Sequence, residues 1–170
     1  MSDVVLRDGG TVFIRPIRPG DAASLAEFHR GLSEESVYLR YFTPHPRLSD
    51  AEISHLTVVD YRWRMAFVAV IGDTIIGVAR YEGKEGTTDA EVAFVVADAD
   101  HDRGIGTVLL ERLASAAQEA GITEFYATTL WENLRMRAVF QDAGFVTTSV
   151  RQGGEVIVRF PTRRSPRGAR

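Results

Sequence analysis

The stretch "AFVVADADHDRGIGTVLLERL", residues Ala93–Leu113, joins an apolar run to an amphipathic one through two glycines set one residue apart. Ala93–Val96 reads as part of a strand. From Gly104 onward Ile105, Val108, Leu109, Leu113, Ala116, Ala117 and Ala120 recur at helical spacing, and Gly121 supplies a stop. A strand that feeds a glycine-rich turn at a helix N-terminus offers unpaired backbone N–H groups and the positive end of the helix dipole. That is an anion site. Gly104 and Gly106 would let the backbone approach phosphate oxygens, and Arg103 would add charge. A glycine pair that only lets a helix pack close to a sheet would read the same way.

Three familiar grips do not fit. A dinucleotide fingerprint needs a third glycine where Leu109 stands. A phosphate loop of the Walker type needs Gly-Lys-Ser/Thr, which the loop lacks. Asp98, Asp100 and Asp102 imitate the start of a calcium loop, but Arg103 holds its glycine position and Leu109 its closing-glutamate position.

Outward from this stretch the chain alternates short elements. Thr11–Ile17 alternates as a strand and ends in an "RPGD" turn. A helix begins at Asp21, a good N-cap residue, with Leu25, Phe28 and Leu32 at helical spacing. Ser33–Phe42 starts a second helix, and Ser49–Leu56 adds a turn with Ser49 and Glu52 as a capping box. Met65–Gly83 reads as a hairpin about Gly72-Asp73, and Asp89–Asp98 as a further strand. After the Gly104–Gly121 helix come a strand at Glu124–Leu130, a helix at Asn133–Ala143 closed by Gly144, and a hairpin turning at Gly153-Gly154. Hairpins mixed with strand–helix–strand units imply an α+β fold: a mixed, mostly antiparallel sheet with helices on both faces.

Composition narrows the class. The 170 residues, 45% hydrophobic and 25% charged, suit one globular domain over residues 1–162. The last eight, "RRSPRGAR" at 163–170, hold four Arg and no acid and are expected to be a disordered basic tail. Residues 1–162 carry 16 basic and 23 acidic side chains, a net −7. A nucleic-acid binder usually needs a basic body, so no nucleic-acid partner is expected. No run approaches the ~18 apolar residues of a membrane span, and the N-terminus lacks the shape of a signal peptide, so a cytoplasmic protein without membrane contact is expected. Without cysteine there is no disulfide, thiolate nucleophile or Cys-based zinc site. His45, His55 and His101 lack metal-ligand spacing, and no metal is expected. Of the 20 basic residues only Lys84 is lysine; codon bias accounts for this as well as protection of a lysine-modifying enzyme from itself.

Loop, preceding strand and element order together resemble the GCN5-related N-acetyltransferase (GNAT) superfamily. There Gln/Arg-x-x-Gly-x-Gly/Ala after the fourth strand binds the pyrophosphate of acetyl-CoA. This chain reads His101-Asp102-Arg103-Gly104-Ile105-Gly106, so His101 departs from the leading position. A second family motif, Asn…Tyr-x-x-x-Gly-Phe, is matched by Asn133, Gly144 and Phe145, with Phe140 in place of the tyrosine. The resemblance spans roughly residues 11–160. Within the superfamily, "LSEESVYLRYF", "VDYRWRMAFVAV" and "AEVAFVVAD" look like the catalytic domain of bacterial protein lysine acetyltransferases.

A lysine ammonium has a pKa near ~10.4, so acetyl transfer to it needs a group to accept a proton. Glu91, a carboxylate in an otherwise apolar strand, is the candidate, and the resemblance implies the same general base. Free Glu titrates near ~4.3, so proton uptake calls for an apolar setting or a water relay. A Glu paired with an Arg at a strand end is the plainer alternative. Strand parity puts Glu91, Ala93 and Val95 on one face and Val92, Phe94 and Val96 on the other. The resemblance further implies that this strand splays from its neighbour. Phe94, Val95 and Val96 would then hold the pantetheine arm, Asp102, Arg103, Gly104, Ile105, Gly106 and Thr107 the pyrophosphate, and Asn133 the arm again. Asn133 is equally a helix N-cap. The general-acid tyrosine frequent in the family falls at Phe140, which cannot protonate a thiolate, so solvent would serve. His29, Tyr38 and Tyr41 lie on the early helices that line the acceptor side in the family; packing explains each of them as well.

The function implied is an acetyl-CoA-dependent N-acetyltransferase acting on the ε-amino group of protein lysines by direct transfer in a ternary complex, with acyl-CoA synthetase-like enzymes among possible acceptors. Transfer to a small amine (antibiotic, polyamine or amino acid) and a catalytically weak acyl-CoA-binding sensor are the alternatives. No residue demands a particular oligomeric state, monomer or homodimer.

Overall fold

The computed structural model describes residues 2–163; the tail expected from the sequence lies outside the described residues except for Arg163. Eight strands form one sheet: β1 (Ser2–Val5), β2 (Thr11–Pro16), β3 (Arg64–Ile71), β4 (Thr74–Gly83), β5 (Asp89–Val96), β6 (Glu124–Leu130), β7 (Thr148–Gln152) and β8 (Glu155–Pro161), in the order β1-β2-β3-β4-β5-β6-β8-β7. Five α-helices accompany them: α1 (Ala22–Arg30), α2 (Glu34–Tyr41), α3 (Asp50–Thr57), α4 (Ile105–Glu119) and α5 (Leu134–Asp142). Every pairing is antiparallel except that of β5 with β6. The α+β sheet read from the sequence is the sheet observed, with β1 added at one edge.

Alternation within the strands explains two cores. On β3, Met65, Phe67 and Ala69 pack with Leu109, Leu110, Leu113 and Phe140 under α4 and α5. Ala66, Val68 and Val70 pack instead with Leu25 and Phe28 of α1. Helices therefore cover both faces.

The parallel pairing is brief. β5 pairs with β4 from Ala90 to Val96, but lies beside β6 only at Asp89, Ala90 and Glu91, opposite Glu124, Phe125 and Tyr126. Beyond Glu91 the two strands part. Phe94 then meets the buried Phe140 ring edge-on at 5.9 Å, and Phe140 in turn lies 4.7 Å from Phe160 of β8. These rings pack in the core beside the point where the two strands part.

Ser49 and Glu52 form the full capping box that the sequence predicts, and Ser33 caps α2 by accepting from the Ser36 N–H. Asp21 does not cap α1 through its side chain. Its carboxylate, 4% exposed, instead takes a two-pronged pair from Arg15 at 2.7 and 2.8 Å and a bond from the Arg18 backbone N–H. A buried acceptor goes to the strongest donor available, and a guanidinium fork outcompetes a helix N–H. Burial opposes the Asp21 carboxylate, yet the bonds from Arg15 and Arg18 outweigh it and hold its pKa below the usual value. Its stabilisation is thus complete above pH ~4, the unfolded value, and is lost as pH falls through the lowered one. Asp21→Ala, which strands a largely buried Arg15, is expected to cost about 3 kcal/mol in urea unfolding at pH 7. The cost should shrink in acid.

Candidate active site

The parting of β5 and β6 opens a cleft of about 520 Å³ that runs from Glu91 along Val92–Val96 to the start of α4. Because β4 occupies only one edge of β5, the backbone groups on the other edge beyond Glu91 face this space. At its far end Gly104 caps α4 with a left-handed backbone (φ +86°) and no side-chain cap, leaving the first-turn N–H groups without such a partner. Gly106 sits in a close approach: a Cβ there would lie 3.4 Å from Phe94 and 3.5 Å from Val139. Unpaired strand edge and uncapped helix start suit an extended ligand that ends in a phosphate group.

The structure brings together all but one of the residues read from the sequence. Glu91, Phe94, Val95, Val96, Asp102, Gly104, Ile105, Gly106, Thr107 and Asn133 line the cleft. The side chain of Arg103 does not. Its guanidinium bonds Asp8 at 2.7 Å and Asp100 at 2.8 Å, over the turn between β1 and β2. Those two carboxylates raise its pKa, Asp8 foremost. The arginines that line the cleft are Arg7, from the same turn, Arg40 of α2 and Arg135 of α5. Arg7 was legible in principle, since "VVLRDGGTVFI" is two apolar runs about an Asp-Gly turn.

His101, the departure at the first loop position, is held at both ring nitrogens. Nε2 lies 2.9 Å from the Val96 carbonyl and Nδ1 lies 2.6 Å from Arg135 Nη1. A carbonyl only accepts, so Nε2 carries the hydrogen and Nδ1 accepts from Arg135. The ring ties the end of β5 to α5 across the loop. Asn133 caps α5 through its Oδ1, which accepts from the Met136 N–H at 3.2 Å, while lining the cleft. The N-cap reading of that residue holds.

Glu91 is exposed, so water reaches it. Burial, and then the charges of Glu91 and Asp89, push the neighbouring Tyr126 phenol up and keep it protonated. Phe140 is fully buried. Helix α2 is pinned beside the cleft by Asp98, which accepts from the Ser33 hydroxyl at 2.7 Å and backbone N–H at 3.1 Å, and from the Ser36 hydroxyl. Among the described residues no group of three His, Asp or Glu is placed to hold a metal, and no helix is long and apolar enough to cross a membrane.

Comparison with known proteins decides the family. The model of the acetyltransferase (GNAT) domain matches residues 11–146. The chain belongs to the GNAT acetyltransferase family. It is 33% identical over 147 residues to the acetyltransferase Pat of Mycolicibacterium smegmatis, covering 84% of this chain and 44% of that one. It is 30% identical over 145 residues to the acetyltransferase PA5475 of Pseudomonas aeruginosa, covering 83% and 78%. The chain thus spans less than half the length of the first of these relatives. Among solved structures, the GNAT domain of S. lividans PAT superposes with a TM-score of 0.89 at 40% identity, over 94% of this chain and 96% of that one. The chain thus carries an acetyltransferase domain of a family whose acyl donor is acetyl-CoA.

Gly106→Asp tests the phosphate end of the cleft. A carboxylate there is expected to weaken coenzyme A binding by more than about tenfold in calorimetry, with the circular dichroism spectrum unchanged. Unaltered affinity would remove the start of α4 from the site.

Proposed function

We propose that the protein transfers acetyl from acetyl-CoA to the ε-amino group of lysines in proteins, within a ternary complex and in the cytoplasm. The observation that carries this reading is the cleft, which joins one carboxylate, Glu91, to an uncapped helix start through an unpaired strand edge. Likeness to the S. lividans PAT domain over nearly the full length of both chains supports the choice of acceptor.

On this reading the chain's own groups divide the work. Backbone N–H groups of Gly104–Thr107 bind the pyrophosphate, with Arg7 and Arg135 adding charge at the mouth. The free edge of Phe94–Val96 and the side chain of Asn133 align the arm. Acetyl-CoA supplies a thioester carbonyl as electrophile. Glu91 accepts the proton of the acceptor ammonium through water, which its exposure admits, so that the amine attacks as a neutral nucleophile. Phe140 offers no proton, and the departing thiolate takes one from solvent.

Free-thiol release from acetyl-CoA, with a lysine-bearing protein and a panel of small amines as acceptors, tests the assignment. Protein acetylation with slower turnover of every small amine is expected; the reverse order would overturn the choice of acceptor. Glu91→Gln should lower kcat about 10²–10³-fold while leaving coenzyme A affinity intact. Unchanged turnover would sink the base.

A further inference from the structure

One buried charge has no role in the chemistry above. Arg80 of β4 is only 8% exposed, and its single hydrogen bond among the described residues is a long one, 3.3 Å, to the Leu56 carbonyl. No carboxylate pairs with it. Glu82, the acid that acts on it electrostatically, is engaged by His55 at 3.2 Å and Arg64 at 3.8 Å. A second cation, Arg40 of α2, bears on it, and Arg40 also has no acidic partner, lying instead 4.7 Å from the Tyr41 ring centroid. Burial, followed by the like charge of Arg40, pushes Arg80 down to about 10, so it stays protonated at neutral pH. A guanidinium largely withdrawn from water beside a second one, with no carboxylate partner, is an arrangement that an anion would stabilise.

The place of this pair is informative. Arg80 lies opposite Ala93 and Glu82 opposite Glu91, so parity puts Arg80 on the face that carries Glu91. Arg80 and Arg40 line a small cavity of about 20 Å³, enough for one water or one carboxylate oxygen. Arg40, Ala93, Phe94 and Val95 line both this cavity and the main cleft, so it is an annex of that cleft. On β5, Ala93, which lies opposite Arg80, is two residues from Glu91, roughly 7 Å along the strand.

We propose that Arg80 and Arg40 form an anion subsite for the acceptor: the amine acetylated here belongs to a molecule that also carries a carboxylate close to that amine. In a polypeptide this is an Asp or Glu side chain folded beside the target lysine; in a small molecule it is the acid of an amino acid. Only the choice between these two sources rests on the protein-lysine reading.

Two acceptor pairs test it. One is a pair of one-lysine hexapeptides that differ only in Asp or Asn two positions before the lysine. The other is Nα-acetyl-lysine against its amide. The acidic member of a pair should be used with kcat/KM at least about tenfold higher, chiefly through KM. In Arg40→Gln and Arg80→Met that ratio should fall to about one, with the KM for acetyl-CoA and the unfolding midpoint measured alongside to separate loss of the subsite from loss of structure. Should Arg80→Met fail to fold, Arg40→Gln and Arg80→Lys carry the test, the latter keeping the charge but losing the fork. Equal use of both members by the wild type, or a ratio untouched by the variants, overturns the subsite. A ratio seen with the Nα-acetyl-lysine pair while neither peptide is acetylated supports the subsite and overturns the protein-lysine reading.

Discussion

The fold depends on a pairing that stops. β5 keeps β4 along its length and releases β6 after three residues. Parallel strands buried on both faces ordinarily continue together, because every ladder bond forgone leaves a donor or acceptor to be satisfied elsewhere. Here Phe94, Phe140 and Phe160 stack as a wedge in the core beside the gap, while the released strand edge faces the cleft. Phe140, at a position where the family often carries tyrosine, is part of that wedge. A hydroxyl on a fully buried ring would need a partner among apolar neighbours, so loss of the hydroxyl and gain of packing go together.

At the phosphate end, charge is arranged by pairs rather than by proximity in sequence. Arg103, adjacent to Gly104, is drawn to Asp8 and Asp100, whereas Arg7 and Arg135, distant in the chain, come to the cleft. The exchange locks the β1–β2 turn onto the loop before α4. His101 adds a second tie, from β5 to α5, by using both ring nitrogens. A loop whose own polar side chains are spoken for presents its backbone to the cleft, and backbone N–H groups are what an uncapped helix start has to offer.

These features explain what could be read from the sequence. Local signals were sufficient for α4, for the capping box at Ser49 and for the hairpin about Gly72, since each depends on a few adjacent residues. Glu91 stood out because a carboxylate breaks an apolar strand. Strand β1 was missed: four residues alternate too briefly to give a period, and β1 gains its place by pairing with β2. The partner of Arg103 is 95 residues away, and the partner of Asp21 is on the preceding strand. Nothing local distinguishes a free charge from a claimed one. The parting of β5 was invisible for the same reason, since the residues that wedge it come from α5 and β8.

A strand has two edges and two faces, and β5 uses all four. One edge holds β4, and the other is left open over Val92–Val96. Val92 and Val96 turn one face into the core beneath α4, with Phe94 packed against it. The remaining face carries Glu91, with Glu82 and Arg80 beside it on β4. On the proposed reading the open edge takes the acyl donor and this last face takes the acceptor, so the two substrates meet at one strand without competing for the same backbone. Parity then fixes more than which residue can accept the proton. Within the sheet it leaves the odd-numbered positions of β5 and their even-numbered neighbours on β4 to face the acceptor, and the one buried charge among those neighbours is Arg80.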